Sequence, residues 1–457
     1  MTPLAAALRR IVGDEHVRRP AAADLADETE TRGLRGRADL VVLPGSAAEV
    51  AAVVAACCSA RTPIVPRGGG TGFAGGAVPV DGGVVVALER LNRIRAFDPL
   101  LWRMHVEAGV RTAEVRRIAR ESGLLFPPDP GAAESSQIGG NIATNAGGPH
   151  AFKYGVTGAW VLGLEAVVPP GELVHVGGPV RKDVAGYDLR SLLVGSEGTL
   201  GIVTAAWLRL VPAPEAALPV VAVYPDAASG VAAIEAVLGN GLPAAALEYL
   251  DGRTLEAAAA GFPLTVEART GFAVLAEADG TRDEAVSLAG ELRDALADGA
   301  LGVHAPTAPD DVARLWRWRD GVSLAVTAQR GGKVSEDIVV PLDRLREALA
   351  ETERIARLHG LESCSWGHAG DGNMHATFLV DRTSEAELER AAAAAQELFA
   401  LAVGLGGSVS GEHGVGLVKR GQLSRQWEPR AVALHESIKR VFDPDNLLNP
   451  GKKVASA

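Results

Sequence analysis

Cysteine is scarce. The chain has three in 457 residues, with Cys57 and Cys58 adjacent and Cys364 alone. No C-x-x-C pair occurs. That excludes a disulfide framework, and it excludes an iron–sulfur cluster held by this chain alone, since such clusters need four thiolates. A surplus of positive charge is also missing. The formal net charge is −11 and there is no long Lys/Arg block, so the average field repels a phosphate backbone and argues against binding nucleic acid. Apolar runs are short and broken by Gly, Pro or charge, and no membrane span is expected. Met1–Pro20 carries Asp14 and Glu15 without a hydrophobic signal core, which leads to the expectation of a cytoplasmic protein. There is no low-complexity stretch and no convincing internal repeat.

What is present is an ordinary apolar content of 47% and an unusual amount of glycine, 54 residues, against a usual share of ~7%. The glycines are clustered, so their role is local backbone geometry. The length suggests two or three domains. Residues 39–43 form a short apolar strand. Ser46 with Glu49 reads as a capping box opening a helix over 47–60, and 62–66 is a second strand running into a glycine loop. Strands follow over 83–109, then a helix over 112–122. Residues 161–169 and 172–176 form a hairpin around Pro170-Gly171, and 195–212 is a glycine turn followed by a strand. After Pro212-Ala213-Pro214 the pattern changes. Strands at 218–224 and 271–277 alternate with helices at 227–238, 282–297 and 384–403, the mark of a separate α+β domain.

Gly70-Thr71-Gly72-Phe73-Ala74-Gly75 formally matches the dinucleotide fingerprint G-x-G-x-x-G. That motif must open a helix, and Gly76, Pro79, Gly82 and Gly83 follow at once. A nest, in which successive backbone N–H groups cradle a pyrophosphate, suits the loop better. Four more segments add bare amides and small polar groups: Pro127-Pro128-Asp129-Pro130, Gly139 to Gly148, Lys153 to Thr157, and Gly195 to Thr204. A long, flat, charged cofactor in a groove needs that combination.

Together with Pro66-Arg67-Gly68-Gly69-Gly70-Thr71-Gly72, these segments resemble the FAD-binding domain of the vanillyl-alcohol oxidase and p-cresol methylhydroxylase (PCMH) superfamily. Within it the chain is similar to the branch of D-lactate dehydrogenases, D-2-hydroxyglutarate dehydrogenases and the FAD subunit of glycolate oxidase, from about residue 36 to the end. The resemblance implies an α+β fold: a two-subdomain FAD domain over 36–213, an α+β, ferredoxin-like substrate cap over 214–440, and a tie-down segment over 441–457, preceded by a helical segment over 1–35. It implies that Pro66, Arg67, Gly68, Gly69, Gly70, Thr71 and Gly72 bind the FAD pyrophosphate. It implies that Pro128, Asp129, Gly139, Gly140, Asn141, Thr144 and Asn145 line the flavin and its ribityl chain. Glu197, Gly198, Gly201, Ile202 and Val203 would hold the adenosine and dimethylbenzene side, with Asp183 to Leu189 as scaffold near the cofactor. Some relatives tether FAD through His or Cys. No cysteine lies in these loops and His150 is the only nearby histidine, so FAD is expected to be non-covalent.

The second signal is Gly367-His368-Ala369-Gly370-Asp371-Gly372-Asn373-Met374-His375. Seven residues apart, the two histidines would leave opposite faces of a straight strand, but the Gly-Asp-Gly between them can fold the chain so that both imidazoles converge. Asp371 is read as a turn cap. Gly411-Glu412-His413-Gly414 adds a carboxylate and a third imidazole. His368, His375 and Glu412 make a catalytic metal set with open positions, for zinc first and for manganese or iron as alternatives. His413 is the general base. His16, His304, His359 and His435 are read as surface or core residues. From the resemblance, Arg319 and Lys333 grip the substrate carboxylate. One departure is Thr377, where hydroxyglutarate-type relatives carry Asn.

The expectation is thus a flavoenzyme that oxidises a small D-2-hydroxy acid, with lactate or glycolate leading, and passes electrons to an electron-transfer protein, a quinone or an iron–sulfur subunit. A homodimer is left open. The alternatives are the FAD subunit of a complex with a separate iron–sulfur chain, a metal-dependent hydrolase, and a ligand-binding protein with degraded chemistry.

Overall fold

The computed structural model describes residues 2–267 and 270–454. The chain divides into two compact units. One comprises Met1–Gly147, Gly155–Ala213 and everything from Glu412 onward; the other comprises Gly148–Tyr154 and Pro214–Gly411.

The first unit contains two principal sheets. A four-stranded sheet runs in the order Val17–Arg18, Leu40–Val42, Val84–Ala87, Ile64–Arg67, with the last three parallel. Parallel pairing demands a crossover, and the helix Ala47–Ser59 supplies it. Ser46 caps this helix by accepting from the Glu49 N–H at 3.2 Å, while the Glu49 carboxylate takes the N–H of Gly45 at 2.8 Å; the capping box is therefore only half formed. Val50, Val53, Val54 and Cys57 recur at helical spacing and are buried in one cluster with Val42, Ile64, Val84 and Val86. The second sheet is five-stranded and antiparallel: Ile94–Asp98, Arg103–Glu107, Ile202–Arg209, Val161–Val168, Glu172–Gly177. These two sheets are the two subdomains anticipated for the FAD domain.

The ends of the chain depart from expectation. The first 35 residues are no separate segment: Val17–Arg18 pairs with Val41 and Val42, and Leu8 and Val12 enter the apolar cluster of the first unit. The return to this unit begins at Glu412, well before residue 441. The tail then runs beside Ile64–Arg67, where the Ile64 N–H donates to the Leu447 carbonyl (2.8 Å) and the Asn449 N–H to the Ile64 carbonyl (2.7 Å).

The second unit is built on a seven-stranded sheet. Its order is Gly302–His304, Ala216–Tyr224, Phe272–Gly280, Ala246–Asp251, Glu362–His368, Asn373–Val380, Gly332–Val339. All the pairings are antiparallel. Residues 272–279 and 373–380 are buried throughout, so Glu277, Asp279, Asn373, His375 and Thr377 lie buried among their apolar neighbours. Helices Ala227–Gly239, Arg282–Ala297, Pro309–Ala328, Leu345–Leu358 and Glu385–Gly404 pack on the sheet. Thr281 and Glu284 form a complete capping box on the second of these. Residues 148–154 join this unit because their polar side chains meet buried carboxylates on Phe272–Gly280. His150 Nε2 lies 2.7 Å from Glu277 Oε1, and Lys153 and Tyr154 both donate to Asp279. Among the described residues no helix is long and apolar enough to cross a membrane.

Candidate active site

In the first unit, the glycine loop leaves the C-terminal end of Ile64–Arg67. A Cβ on Gly69 would stand 2.2 Å from the Ser135 carbonyl oxygen, and one on Gly70 would stand 2.1 Å from Arg67 Nη2 at a φ of +71°. Neither position admits a side chain. Around this loop three buried side-chain atoms have no hydrogen-bond partner: Arg67 Nη1, Asp27 Oδ2 and Gln137 Oε1. Orphaned polar atoms are rare in a finished interior. Burial pushes the Arg67 guanidinium down from its ordinary range, and Asp24 and Asp27 only partly offset this. A buried cation beside bare amides suits a pyrophosphate, so these residues fit the phosphate end of FAD.

Two of the other segments, 139–148 and 195–204, reach the same loop. Pro66 packs against Gly198, where a Cβ would fall 2.9 Å from Pro66 Cγ. Residues 138–144, expected as glycine loop, form a short helix, Ile138–Thr144, capped by Asn145 in the left-handed region. Gly139 is packed so closely on Ala108 that a Cβ would lie 2.7 Å from the alanine methyl, and Gly140 flanks Gly68. The polar side chains of this helix are engaged with protein. Asn141 Nδ2 donates to Thr112 Oγ1 (2.6 Å), Thr144 Oγ1 to the Gly140 carbonyl (3.1 Å), and Asn145 Oδ1 accepts from the Gly158 N–H (2.7 Å). Their part is to shape the backbone. Pro128 is buried and Asp129 half-buried. Ile202 and Val203 begin the central strand of the five-stranded sheet and pair with Val167 and Ala166. Residues 183–189, expected as scaffold near the cofactor, are all exposed, with Tyr187 95% exposed. Two local aspartate caps, Asp183 and Asp188, hold their turns without a core beneath them.

Glu197 sits at φ +55° with its side chain buried. Its carboxylate accepts from the N–H groups of Val415 (2.9 Å) and Gly416 (2.6 Å) and from Lys453 Nζ (3.2 Å). It therefore grips the segment directly after Glu412 and His413. The His413 ring stacks on Phe73 from the glycine loop, with centroids 4.7 Å apart. A Cβ on Gly147 would meet Glu412 Oε2 at 2.9 Å.

In the second unit, strands Glu362–His368 and Asn373–Val380 form a hairpin around Ala369–Asp371. Gly372 takes φ +75° beneath the Val340 carbonyl, and Asp371 Oδ1 accepts from the Asn373 N–H at 3.3 Å. His368 faces Asn373 and His375 faces Trp366, so the histidines are diagonal neighbours on one face. Both are buried, their rings are edge-to-face at 5.4 Å, and a ring nitrogen of each lies within 4.8 Å of the other. Two imidazoles held so closely could serve as two ligands of a divalent metal.

Glu248, on the adjacent strand, faces His368 in register. Its Oε1 is 2.5 Å from His368 Nδ1, and its Oε2 accepts from Arg319 Nε (2.9 Å) and Nη2. Burial alone would raise the Glu248 pKa, but His368 and Arg319 outweigh it and bring it down to about 2. With Nδ1 bonded to Glu248, the ring would meet a metal through Nε2. Arg319 is thus a buried partner of Glu248, and a substrate carboxylate would share it. Lys333 Nζ donates to Ser323, through both carbonyl (2.8 Å) and hydroxyl, and lies over Trp366. Thr377 is buried against Ser335, with hydroxyls 2.7 Å apart. Asp337 accepts from Asn373 Nδ2 (2.5 Å), Ser410 Oγ (2.7 Å) and the Gly411 N–H (3.1 Å), and so fixes the residue before Glu412. Sequence reasoning missed Asp27, Gln137, Phe73, Glu248 and Asp337. Of these, Phe73 lay inside the motif itself. Of the other histidines, His359 pairs with Glu397 and His435 stacks on Trp427.

Comparison with known proteins follows the same lines. The model of the FAD linked oxidases, C-terminal domain, matches residues 213–453, and that of an FAD binding domain matches residues 38–177. The chain is 36% identical to glycolate oxidase subunit GlcD of Bacillus subtilis over 91% of this chain and 89% of that protein. It is 34% identical to D-lactate dehydrogenase of Anaerostipes hadrus over 92% of this chain and 90% of that one. Among solved structures, 4-ethylphenol oxidase from Gulosibacter chungangensis superposes with a TM-score of 0.80 at 20% identity, covering 99% and 96% of the two chains, and shares the fold.

Proposed function

Because the chain belongs to the family of FAD-linked oxidases, we propose that it oxidises a small D-2-hydroxy acid, lactate or glycolate, to the 2-oxo acid. The observation that carries this reading is the buried pair His368 and His375, with His368 oriented by Glu248. Family membership removes the metal-dependent hydrolase from consideration and leaves those histidines a role in redox chemistry.

The flavin is held without a covalent bond. Arg67 and the amides of Gly68–Gly72 would receive its pyrophosphate, and Gly140, with open space where a Cβ would stand, would leave room beside it. FAD supplies the hydride acceptor. His368, His375 and Glu412 would hold a divalent cation, zinc first, which would supply Lewis acidity to a bound hydroxyl. The protein's own steps are then few. Lys333 and Arg319 neutralise the substrate carboxylate, Arg319 sharing its charge with Glu248. His413 takes the hydroxyl proton as general base, a role worth about 100- to 10,000-fold in rate. As that proton leaves, the C–H bond at the same carbon is free to deliver its hydride.

His413→Ala tests the assignment. Flavin content should stay as in the wild type while flavin reduction by D-lactate or glycolate falls about 100-fold or more. Reduction at the wild-type rate would remove His413 from the mechanism. A second reading has support of its own: this chain as the FAD subunit of a complex whose iron–sulfur clusters lie on another chain. The three cysteines cannot hold a cluster, and a relative at 36% identity is itself named as a subunit. Reduction of an artificial acceptor by the isolated chain would count against an obligatory complex.

A further inference from the structure

We infer that Glu197 is a positioning residue for His413, acting through the backbone that follows the histidine. This rests on the reading of His413 as the base. The resemblance had given Glu197 to the cofactor, but its carboxylate faces protein donors: the N–H groups of Val415 and Gly416 at 2.9 and 2.6 Å, and Lys453 Nζ at 3.2 Å. Two adjacent amides on one carboxylate fix the peptide planes on either side of Val415, two residues beyond His413. Charge-assisted bonds of this kind are about twice as strong as neutral ones.

The segment has no slack around this anchor. Gly414 takes φ +83°, and a Cβ there would stand 2.9 Å from Glu197 Oε1. Gly416 takes φ +48° against the Ala74 carbonyl, where a Cβ would be 2.1 Å from oxygen. Ala74 O also accepts from the Leu417 N–H at 2.8 Å. Glu197 thus holds one end of a short arc and the Phe73–His413 ring stack, 4.7 Å between centroids, holds the other. Asn449 Nδ2 donates to the Glu197 backbone carbonyl (2.7 Å) and to the Gly76 carbonyl (2.9 Å), so the tail ties the Glu197 backbone to the glycine loop. The imidazole is thereby set by the loop that receives the cofactor.

The test uses Glu197→Gln, His413→Ala and the double variant of the full-length flavoprotein, with flavin reduction followed under anaerobic conditions. The substrate is the fastest of D-lactate, glycolate and D-2-hydroxyglutarate. Glutamine offers a donor where two N–H groups and an ammonium converge. Glu197→Gln should keep its flavin and its KM but reduce it about 100-fold more slowly, the effect of misplacing a reacting group by about 1 Å. Adding it to His413→Ala should cost nothing further. Wild-type reduction per bound flavin in Glu197→Gln, or losses that multiply in the double variant, would overturn the inference while leaving His413 as base. Wild-type reduction by His413→Ala, or reduction by none of the three acids, would overturn the reading beneath it as well. Should Glu197→Gln fail to bind flavin, Lys453→Met removes the partly exposed third donor. A fall of about 10-fold supports the inference, and an unchanged rate sinks it.

Discussion

Glu248 and His368 face one another across neighbouring strands, and the glutamate Oε1 lies 2.5 Å from the imidazole Nδ1. The bond fixes which ring nitrogen points away from the sheet, and Arg319 balances the buried charge. Glu248→Ala should lower affinity for zinc or manganese about 10- to 100-fold. It should also destabilise the second unit by about 3–5 kcal/mol, because Arg319 is left buried without its partner. Metal titration followed by thermal melting reads both; unchanged metal affinity would show that the pair serves packing alone.

The glycine cradle gives a second expectation. Gly69→Ala sets a methyl against the Ser135 carbonyl, which a Cβ would approach to 2.2 Å. The variant should fold but purify with little flavin, and take up added FAD at least about 10-fold more weakly, a loss of about 1.4 kcal/mol. The ratio of flavin to protein absorbance measures this. Full flavin content would mean that the loop faces something other than the pyrophosphate.

A third prediction concerns pH. Lys452 is buried, and burial, only partly offset by Asp27, Glu197 and Asp81, pushes its pKa down from 10.5 to about 7. Its Nζ donates to Asn449 Oδ1 and the Gly76 carbonyl. Between about 7 and 10.5 the folded chain holds fewer protons here than the unfolded chain. Folding stability from this group therefore rises with pH across that window, by at most about 1.4 kcal/mol per unit. Below pH 7 the lysine is charged in both states and the dependence vanishes. Comparing wild type with Lys452→Met at pH 7 and pH 9, the difference in melting temperature should move in favour of the wild type at the higher pH. An equal difference at both would contradict it.

Much of this was legible from residue order. The strand–helix–strand–glycine pattern over 39–72 is local, since each step is set by neighbours within a few positions, and the strands and helix appear within two residues of where they were expected. The convergence of His368 and His375 was legible for the same reason, because a tight turn between antiparallel strands leaves few alternatives. The partners of those residues were hidden. Glu248 is 120 positions from His368, and only the strand order of the seven-stranded sheet brings them together. Glu197 was read as a cofactor residue because its motif is, while its carboxylate serves donors 218 and 219 positions away. The helix at 138–144 was missed because its two glycines argue against a helix by propensity. Packing against Ala108 decides otherwise, since a side chain at Gly139 would not fit.

The central claim is tested most directly by the visible spectrum of the purified protein reconstituted with FAD, recorded before and after anaerobic addition of D-lactate, glycolate and D-2-hydroxyglutarate. The account predicts a flavin spectrum that one of these acids bleaches within the mixing time of a cuvette. A protein that takes up no flavin, or a bound flavin that none of them reduces, would contradict it.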